Sequence, residues 1–206
     1  MEELKILPQS VYKFKCADYL VSKTLDNLKT ENWCRYGQVF QTCKSLHKNQ
    51  EYSDIHKWFH ECLNTLKNHL KYQCDEFKIT TSWANKTIKD TNHHVHSHQN
   101  SVISGVFYLN DSNSGTIFGT DNHWSVVPEK FNFRLNNRWI QDENRMMIFY
   151  ETKCVPGDLI LFPSTLKHCT NLHLSAIERY SISFNSFPCG KIGEHESLNE
   201  MEIYFK

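Results

Sequence analysis

Of the chain's 12 histidines, four fall within a six-residue stretch, at His93, His94, His96 and His98. In an extended segment residues i and i+2 face the same way, so His96 and His98 can address one metal ion. The pair His94 and His96 is the register-shifted alternative. Far along the chain, an apolar run Leu159-Ile-Leu-Phe162 leads through Pro163-Ser-Thr-Leu-Lys to His168. Two ligands close together and a third distant one form a facial cap on an octahedral metal. The remaining positions then stay open for substrate and oxygen. Three imidazoles also suit zinc.

The other chemically pointed stretch is Glu178-Arg-Tyr-Ser-Ile-Ser-Phe184. Strand alternation puts Arg179, Ser181 and Ser183 on one face, and Tyr180, Ile182 and Phe184 on the other, core-like face. On an outer surface Arg179 would simply pair with Glu178 or Glu151. In a barrel or a two-sheet roll the same face can line a cavity. An Arg with a hydroxyl two residues on can then grip a carboxylate with the forked geometry that Lys lacks. A dicarboxylate that chelates the metal at one end and meets Arg179 at the other fits this arrangement, which is the binding logic of 2-oxoglutarate. Cys169 is no nucleophilic partner for His168, because adjacent strand residues point oppositely.

These residues need strands to carry them. From Phe77 onward the sequence breaks into short β-type runs: Phe77–Ala84, Val102–Leu109, Gly115–Gly119, Met146–Glu151, Asp158–Phe162, Cys169–Leu174 and Tyr180–Phe187. The first third reads helical after an extended start around Ile6 to Phe14. One helix is expected over Ala17–Leu28, and a second from Ser53, as N-cap, to about Tyr72. In the second, Ile55, Trp58, Phe59, Cys62, Leu66 and Leu70 make one packing stripe. The pattern predicts a mainly β fold with N-terminal helices, a sandwich or barrel with the helices packed outside. The polar stretch Asn122–Arg145, with Trp124, Phe131, Phe133 and Trp139, is expected to cover the site.

Composition bounds the rest. The 206 residues carry 39% hydrophobic and 13% aromatic residues, which excludes a disordered chain. Without a linker to cut at, one domain over 1–206 is expected, with 1–76 as helical support, 77–190 as the β core and 191–206 as a tail. That tail either adds a strand at Met201–Phe205 or packs in a homodimer. The 23 basic and 23 acidic residues cancel, so nucleic acid is not indicated as a partner. No apolar run is long enough to span a membrane. The opening Met1-Glu-Glu-Leu-Lys has no secretory pattern, and a cytoplasmic setting is expected. The eight cysteines contain no C-x-x-C pair and read as reduced thiols.

Three stretches resemble a known family: Ser82-Trp-Ala-Asn85; His96-Ser-His-Gln-Asn-Ser-Val-Ile-Ser-Gly-Val-Phe-Tyr-Leu109; and Pro156-Gly-Asp-Leu-Ile-Leu-Phe-Pro-Ser-Thr-Leu-Lys-His168 followed by Glu178-Arg-Tyr-Ser-Ile-Ser-Phe-Asn185. Their order and spacing are similar to those of the iron- and 2-oxoglutarate-dependent oxygenases found in phages and marine bacteria. The resemblance implies a double-stranded β-helix, the cupin-like jelly roll, flanked by helices. It implies Fe(II) ligands at His96 and His168, and 2-oxoglutarate contacts at Arg179 and Ser181, with Tyr108 nearby. His98 stands where the wider superfamily places Asp or Glu, and Asp111 and Asp121 are the alternatives if a carboxylate must bind. Asn85, Asn100, Asn185 and Trp124 are candidates to touch substrate or to support the ligands. The implied activity is hydroxylation of a C–H bond of an unidentified small-molecule or peptide substrate, using O2 and releasing succinate and CO2. The competing readings are a three-histidine metal cupin, either dioxygenase or zinc hydrolase, and a non-catalytic jelly-roll binding module.

Overall fold

The alternating runs of the second half fold into two sheets that face each other across the histidines. In the computed structural model the described residues are 10–110, 115–119, 149–194 and 200–205. The strands are β1 (Tyr12–Lys15), β2 (Cys34–Tyr36), β3 (Val39–Gln41), β4 (Cys74–Thr87), β5 (Ile103–Tyr108), β6 (Thr116–Gly119), β7 (Phe149–Glu151), β8 (Asp158–Pro163), β9 (Lys167–Thr170), β10 (Arg179–Ile192) and β11 (Met201–Ile203). Helix α1 spans Asp18–Leu28 and α2 spans Ser53–His69. The major sheet runs β1-β8-β5-β10-β4-β3-β2, with β11 paired to the end of β10. The minor sheet runs β7-β6-β9. Every pairing is antiparallel. This is the rolled pair of sheets expected of a jelly roll. Among the described residues no helix is long and apolar enough to cross a membrane.

The outer face of the major sheet is the main hydrophobic core. Helix α2 lays Ile55, Phe59, Cys62, Leu63 and Leu66 against Phe107, Leu159, Leu161, Ile182 and Phe184. Burying each such side chain is worth about 1.5–3 kcal/mol, so this contact holds the helix far more firmly than helix propensity does. Phe59 is the centre, its ring 4.8 Å from Phe184 and 5.4 Å from Phe107. Phe184 pairs across the ladder with Gly105. A Cβ on Gly105 would stand 2.3 Å from the Phe184 ring, so the absent side chain is what makes room for the aromatic.

Several boundaries differ from the sequence expectation. Cys34–Gln41, read as part of a helical third, is the hairpin β2–β3. Gly37 sits at φ 59 in its two-residue loop, a left-handed conformation that glycine adopts without strain. Ser53 is the first residue of α2 rather than its cap, and the helix ends at His69. The expected strand Cys169–Leu174 is displaced to β9, because beyond Thr170 the chain turns to bond Thr91 through the His173 N–H at 2.9 Å. β10 runs on to Ile192, and its end takes β11 as a neighbour. The proposed lid of Asn122–Arg145, including Trp124, and the alternative ligands Asp111 and Asp121 lie outside the described residues.

Two substitutions test this core. Phe59→Ala should cost about 3–5 kcal/mol by leaving a cavity, and Gly105→Ala about 1–3 kcal/mol by overpacking. Urea denaturation should show lower midpoints for both with little change in slope. Wild-type midpoints would contradict the packing described here.

Candidate metal and co-substrate site

The His-rich segment lies along β9, joined to it by an isolated antiparallel bridge between His96 and His168. His96 N donates to His168 O at 3.0 Å and His168 N to His96 O at 2.9 Å, while Thr170 N donates to His93 O at 3.2 Å. Main-chain pairing therefore brings residues more than seventy positions apart side by side. The His96 and His98 rings stack 5.2 Å apart at 16°, as their i, i+2 spacing requires, and both face His168 at 4.3 and 5.0 Å. One potential ligand atom from each of the three lies within 4.8 Å of the others. His168 is buried, His98 half-buried and His96 exposed, so the cluster opens to solvent on one side. Phe162 and Phe118 wall its inner side, with ring centroids 4.7 and 6.0 Å from His168.

The hydrogen bonds settle which nitrogens are available. His96 Nδ1 lies 2.7 Å from His94 O, and His168 Nδ1 lies 2.9 Å from Leu166 O. A carbonyl only accepts, so both rings donate Nδ1–H and keep a lone pair on Nε2. His98 Nδ1 donates to Asn185 Oδ1. Rings held in this way are those that ligate metals, since the engaged N–H fixes both tautomer and orientation. Burial pushes the pKa of His168 down to about 3 and lowers that of His98, so both are neutral donors at ordinary pH. Among the described residues no carboxylate joins the cluster.

The same inner face continues along β10. Arg179, Ser181, Ser183 and Asn185 alternate with Tyr180, Ile182 and Phe184, and the first set faces the minor sheet. Arg179 is only 2% exposed, so it does not face water as an isolated strand reading allows. Its Nη2 reaches Thr170 Oγ1 at 3.3 Å and Thr87 Oγ1 at 3.4 Å. Thr170 stands two residues after His168 on β9, so the guanidinium sits beside the strand that carries His168. Ser181 pairs with Tyr108 on one side and Asn85 on the other, so these three cross the sheet in one row. Tyr108 is buried with its hydroxyl 2.5 Å from Thr116 Oγ1, and burial raises its pKa. A buried cation at one end of a polar face and three neutral imidazoles at the other can hold a metal and an anion together.

A sequence family described as "Putative 2OG-Fe(II) oxygenase" matches residues 81–185, just over half of the 206-residue chain. The chain belongs to this 2OG-Fe(II) oxygenase family. No curated protein sequence matches at a significant level. Solved structures share the fold. HygX from Streptomyces hygroscopicus, with nickel and 2-oxoglutarate bound, aligns at a TM-score of 0.61 and 13% identity, over 87% of this chain and 83% of that one. SnoN, a non-heme alpha ketoglutarate dependent epimerase from nogalamycin biosynthesis, aligns at 0.66 and 10%, over 92% and 81%. A Pseudomonas putida prolyl-4-hydroxylase aligns at 0.59 and 11%, over 88% and 94%. At these identities the likeness is one of fold, the double-stranded β-helix. Family membership makes the chain a 2-oxoglutarate-dependent oxygenase, with Fe(II) as metal and 2-oxoglutarate and O2 as co-substrates.

Within this oxygenase the remaining sequence candidates separate by position. Asn85 is a junction: its Oδ1 accepts from Gln41 Nε2 at 2.9 Å and Trp83 Nε1 at 3.1 Å, and its Nδ2 donates to Ser183 Oγ at 2.9 Å. Asn100 is exposed at φ 55 in the turn between the histidines and β5, a conformation Asn tolerates. Asn185 supports His98 directly. Sequence reasoning passed over Gln41, Thr87, Thr170, Ser104 and Ser164. Thr87 and Thr170 were accessible in principle, one as the ladder partner of Arg179 and the other as the i+2 neighbour of His168. Gln41 was hidden behind the unrecognised hairpin.

The buried imidazoles predict an acid-labile metal-free protein. Burial holds His168 down to about 3 and His56 down to about 4, against an ordinary 6.5. The unfolded chain therefore binds more protons below about pH 6.5, and stability falls as pH drops through that value. Each such ring contributes a slope approaching 1.4 kcal/mol per pH unit, with the full stability present at neutral pH and above. Urea midpoints measured between pH 7.5 and 5, above the carboxylate range, should fall steadily; a flat profile would show that these rings titrate normally.

Proposed function

We propose that the chain is an Fe(II)- and 2-oxoglutarate-dependent dioxygenase in which His96, His98 and His168 hold the metal and Arg179 with Ser181 holds the far carboxylate of the co-substrate. The observation that carries this reading is the common tautomer of three converging rings, each with Nδ1–H engaged by an oxygen and Nε2 left free. When bound, iron and 2-oxoglutarate supply an oxidative decarboxylation, giving succinate and CO2, coupled to hydroxylation of a C–H bond of a small-molecule or peptide substrate. The chain's part is to bind, orient and exclude water. Arg179 offers a forked donor shielded from water, where a carboxylate gains more than at a surface. The buried hydroxyls of Tyr108 and Thr116 bond each other, and Phe118 and Phe162 wall the inner side of the histidine cluster, whose His96 side stays open to solvent. Three neutral ligands cancel none of the ion's charge. Binding of a doubly charged co-substrate benefits, while the resting site holds iron less tightly than one with a carboxylate would.

Mixing the protein anaerobically with Fe(II) and 2-oxoglutarate should give the weak visible charge-transfer band of the chelate. His168→Ala should abolish it. Arg179→Gln should keep metal binding but weaken 2-oxoglutarate about 100-fold, the loss of two hydrogen bonds to a charged group at about 1.5 kcal/mol each. Folded, iron-loaded protein without the band, or Arg179→Gln with unchanged 2-oxoglutarate affinity, would refute the assignment.

A further inference from the structure

The three imidazoles are not held alike. His96 and His168 donate Nδ1–H to main-chain carbonyls two residues earlier, His94 O at 2.7 Å and Leu166 O at 2.9 Å, so the local backbone fixes both rings. His98 has no such local acceptor for its Nδ1–H. It uses the side chain of Asn185, 87 residues away on β10. We propose that Asn185 is the positioning residue of this centre: its carboxamide oxygen selects the His98 tautomer with Nε2 free and aims that ring at the point shared with His96 and His168. The inference rests on the triad reading above and adds a role that the triad alone does not contain.

Several features converge on this contact. Asn185 pairs with Ser104 of β5 across the ladder, and Ser104 Oγ lies 3.0 Å from Asn185 Oδ1 and 3.1 Å from His98 Nδ1. The hydroxyl thus buttresses both partners. Ser164 Oγ stands within hydrogen-bond distance of Ser104 Oγ at 2.8 Å and of Ser101 Oγ at 2.7 Å, extending the support back to the turn before β5. Ser164 also anchors the histidine segment from its main chain, accepting from His98 N at 2.8 Å. The register of β10 against β4 shifts between Asn185 and Ser186, an irregularity of the kind that re-aims a side chain next to a site. Among the described residues the side chains bonded to His98 Nδ1 are a carboxamide and a hydroxyl, neither of them charged. The ring is therefore oriented without adding a negative charge to the centre.

Of the two oxygens beside His98 Nδ1, Ser104 Oγ can give or take a proton and only Asn185 Oδ1 is restricted to accepting, so loss of the carboxamide should leave the His98 tautomer unfixed and weaken the third ligand. Co(II) titration, followed by visible absorption, tests this in the wild type, Asn185→Leu, Asn185→Asp, His98→Ala and the Asn185→Leu/His98→Ala double variant. Asn185→Leu should weaken Co(II) 10–100-fold and move the spectrum to that of His98→Ala. Asn185→Asp, which keeps an acceptor oxygen, should bind at least as tightly as the wild type. In the His98→Ala background Asn185→Leu should have no further effect, a result that general destabilisation would not give. Imidazole 15N NMR of the unmodified chain supplies a readout independent of the variants' folding, with His98 protonated at Nδ1. The role is overturned by wild-type Co(II) affinity in folded Asn185→Leu, by multiplicative losses in the double variant, or by an Nε2–H tautomer at His98. Wild-type protein that binds no Co(II) would instead overturn the triad itself, and with it this role.

Discussion

The site depends on β10 having both of its faces out of water. Tyr180, Ile182 and Phe184 press against the core beneath α2, which leaves Arg179, Ser181, Ser183 and Asn185 facing inward toward the minor sheet. In an open one-layer sheet those polar side chains would be solvated and worth little. Enclosed, each must find a hydrogen-bond partner, and the partners it finds define the pocket. Arg179 meets Thr87 and Thr170, Ser183 meets Asn85, and Asn185 meets His98 and Ser104. A polar strand face is thus turned into a set of fixed groups in a low-dielectric cleft.

The same logic explains why the histidines are ready to ligate. A buried imidazole is disfavoured as a cation, so it stays neutral, and a neutral ring has one donor nitrogen and one lone pair. The protein spends the donors on oxygens, two from the main chain and one from a side chain, and all three lone pairs remain. Geometry and protonation are then settled before any ion arrives. On the proposed assignment the charge of the centre is also set in advance: neutral imidazoles at one end and a guanidinium at the other would favour a dianion lying between them.

The supporting elements contribute at a distance. β1 is stapled to β8 by Lys13 and Lys15 on Asp158, with the Lys13 contact at 3.0 Å and that of Lys15 at 3.5 Å. Backbone N–H of Val155 and the Lys13 ammonium outweigh burial and hold the Asp158 carboxyl below its usual range. The hairpin β2–β3 extends the major sheet and delivers Gln41 to Asn85. His56 ties α2 to the sheet, donating from Nδ1 to Tyr52 O at 2.8 Å and accepting from Ser82 at Nε2 at 2.8 Å. A histidine in the chain is thus as readily a structural bond as a ligand, and its neighbours decide which.

What the residues themselves determined was the type of fold and which histidines could be brought together. Period-2 alternation in Tyr180–Phe184, the i, i+2 spacing of His96 and His98, and the helical stripe of α2 are local properties, set by backbone geometry whatever lies across the core. They were therefore legible without a structure. The burial of Arg179 was not, because a strand cannot say whether its polar face meets water or a second sheet. Neither were the contacts of Gln41, Thr170 or Ser164, nor which of its two candidate roles Asn185 takes, since each meets a partner brought close only by strand pairing between distant segments. Even the common tautomer of the three imidazoles is a tertiary fact: a ring offers either nitrogen, and only the oxygens that folding places beside it make the choice.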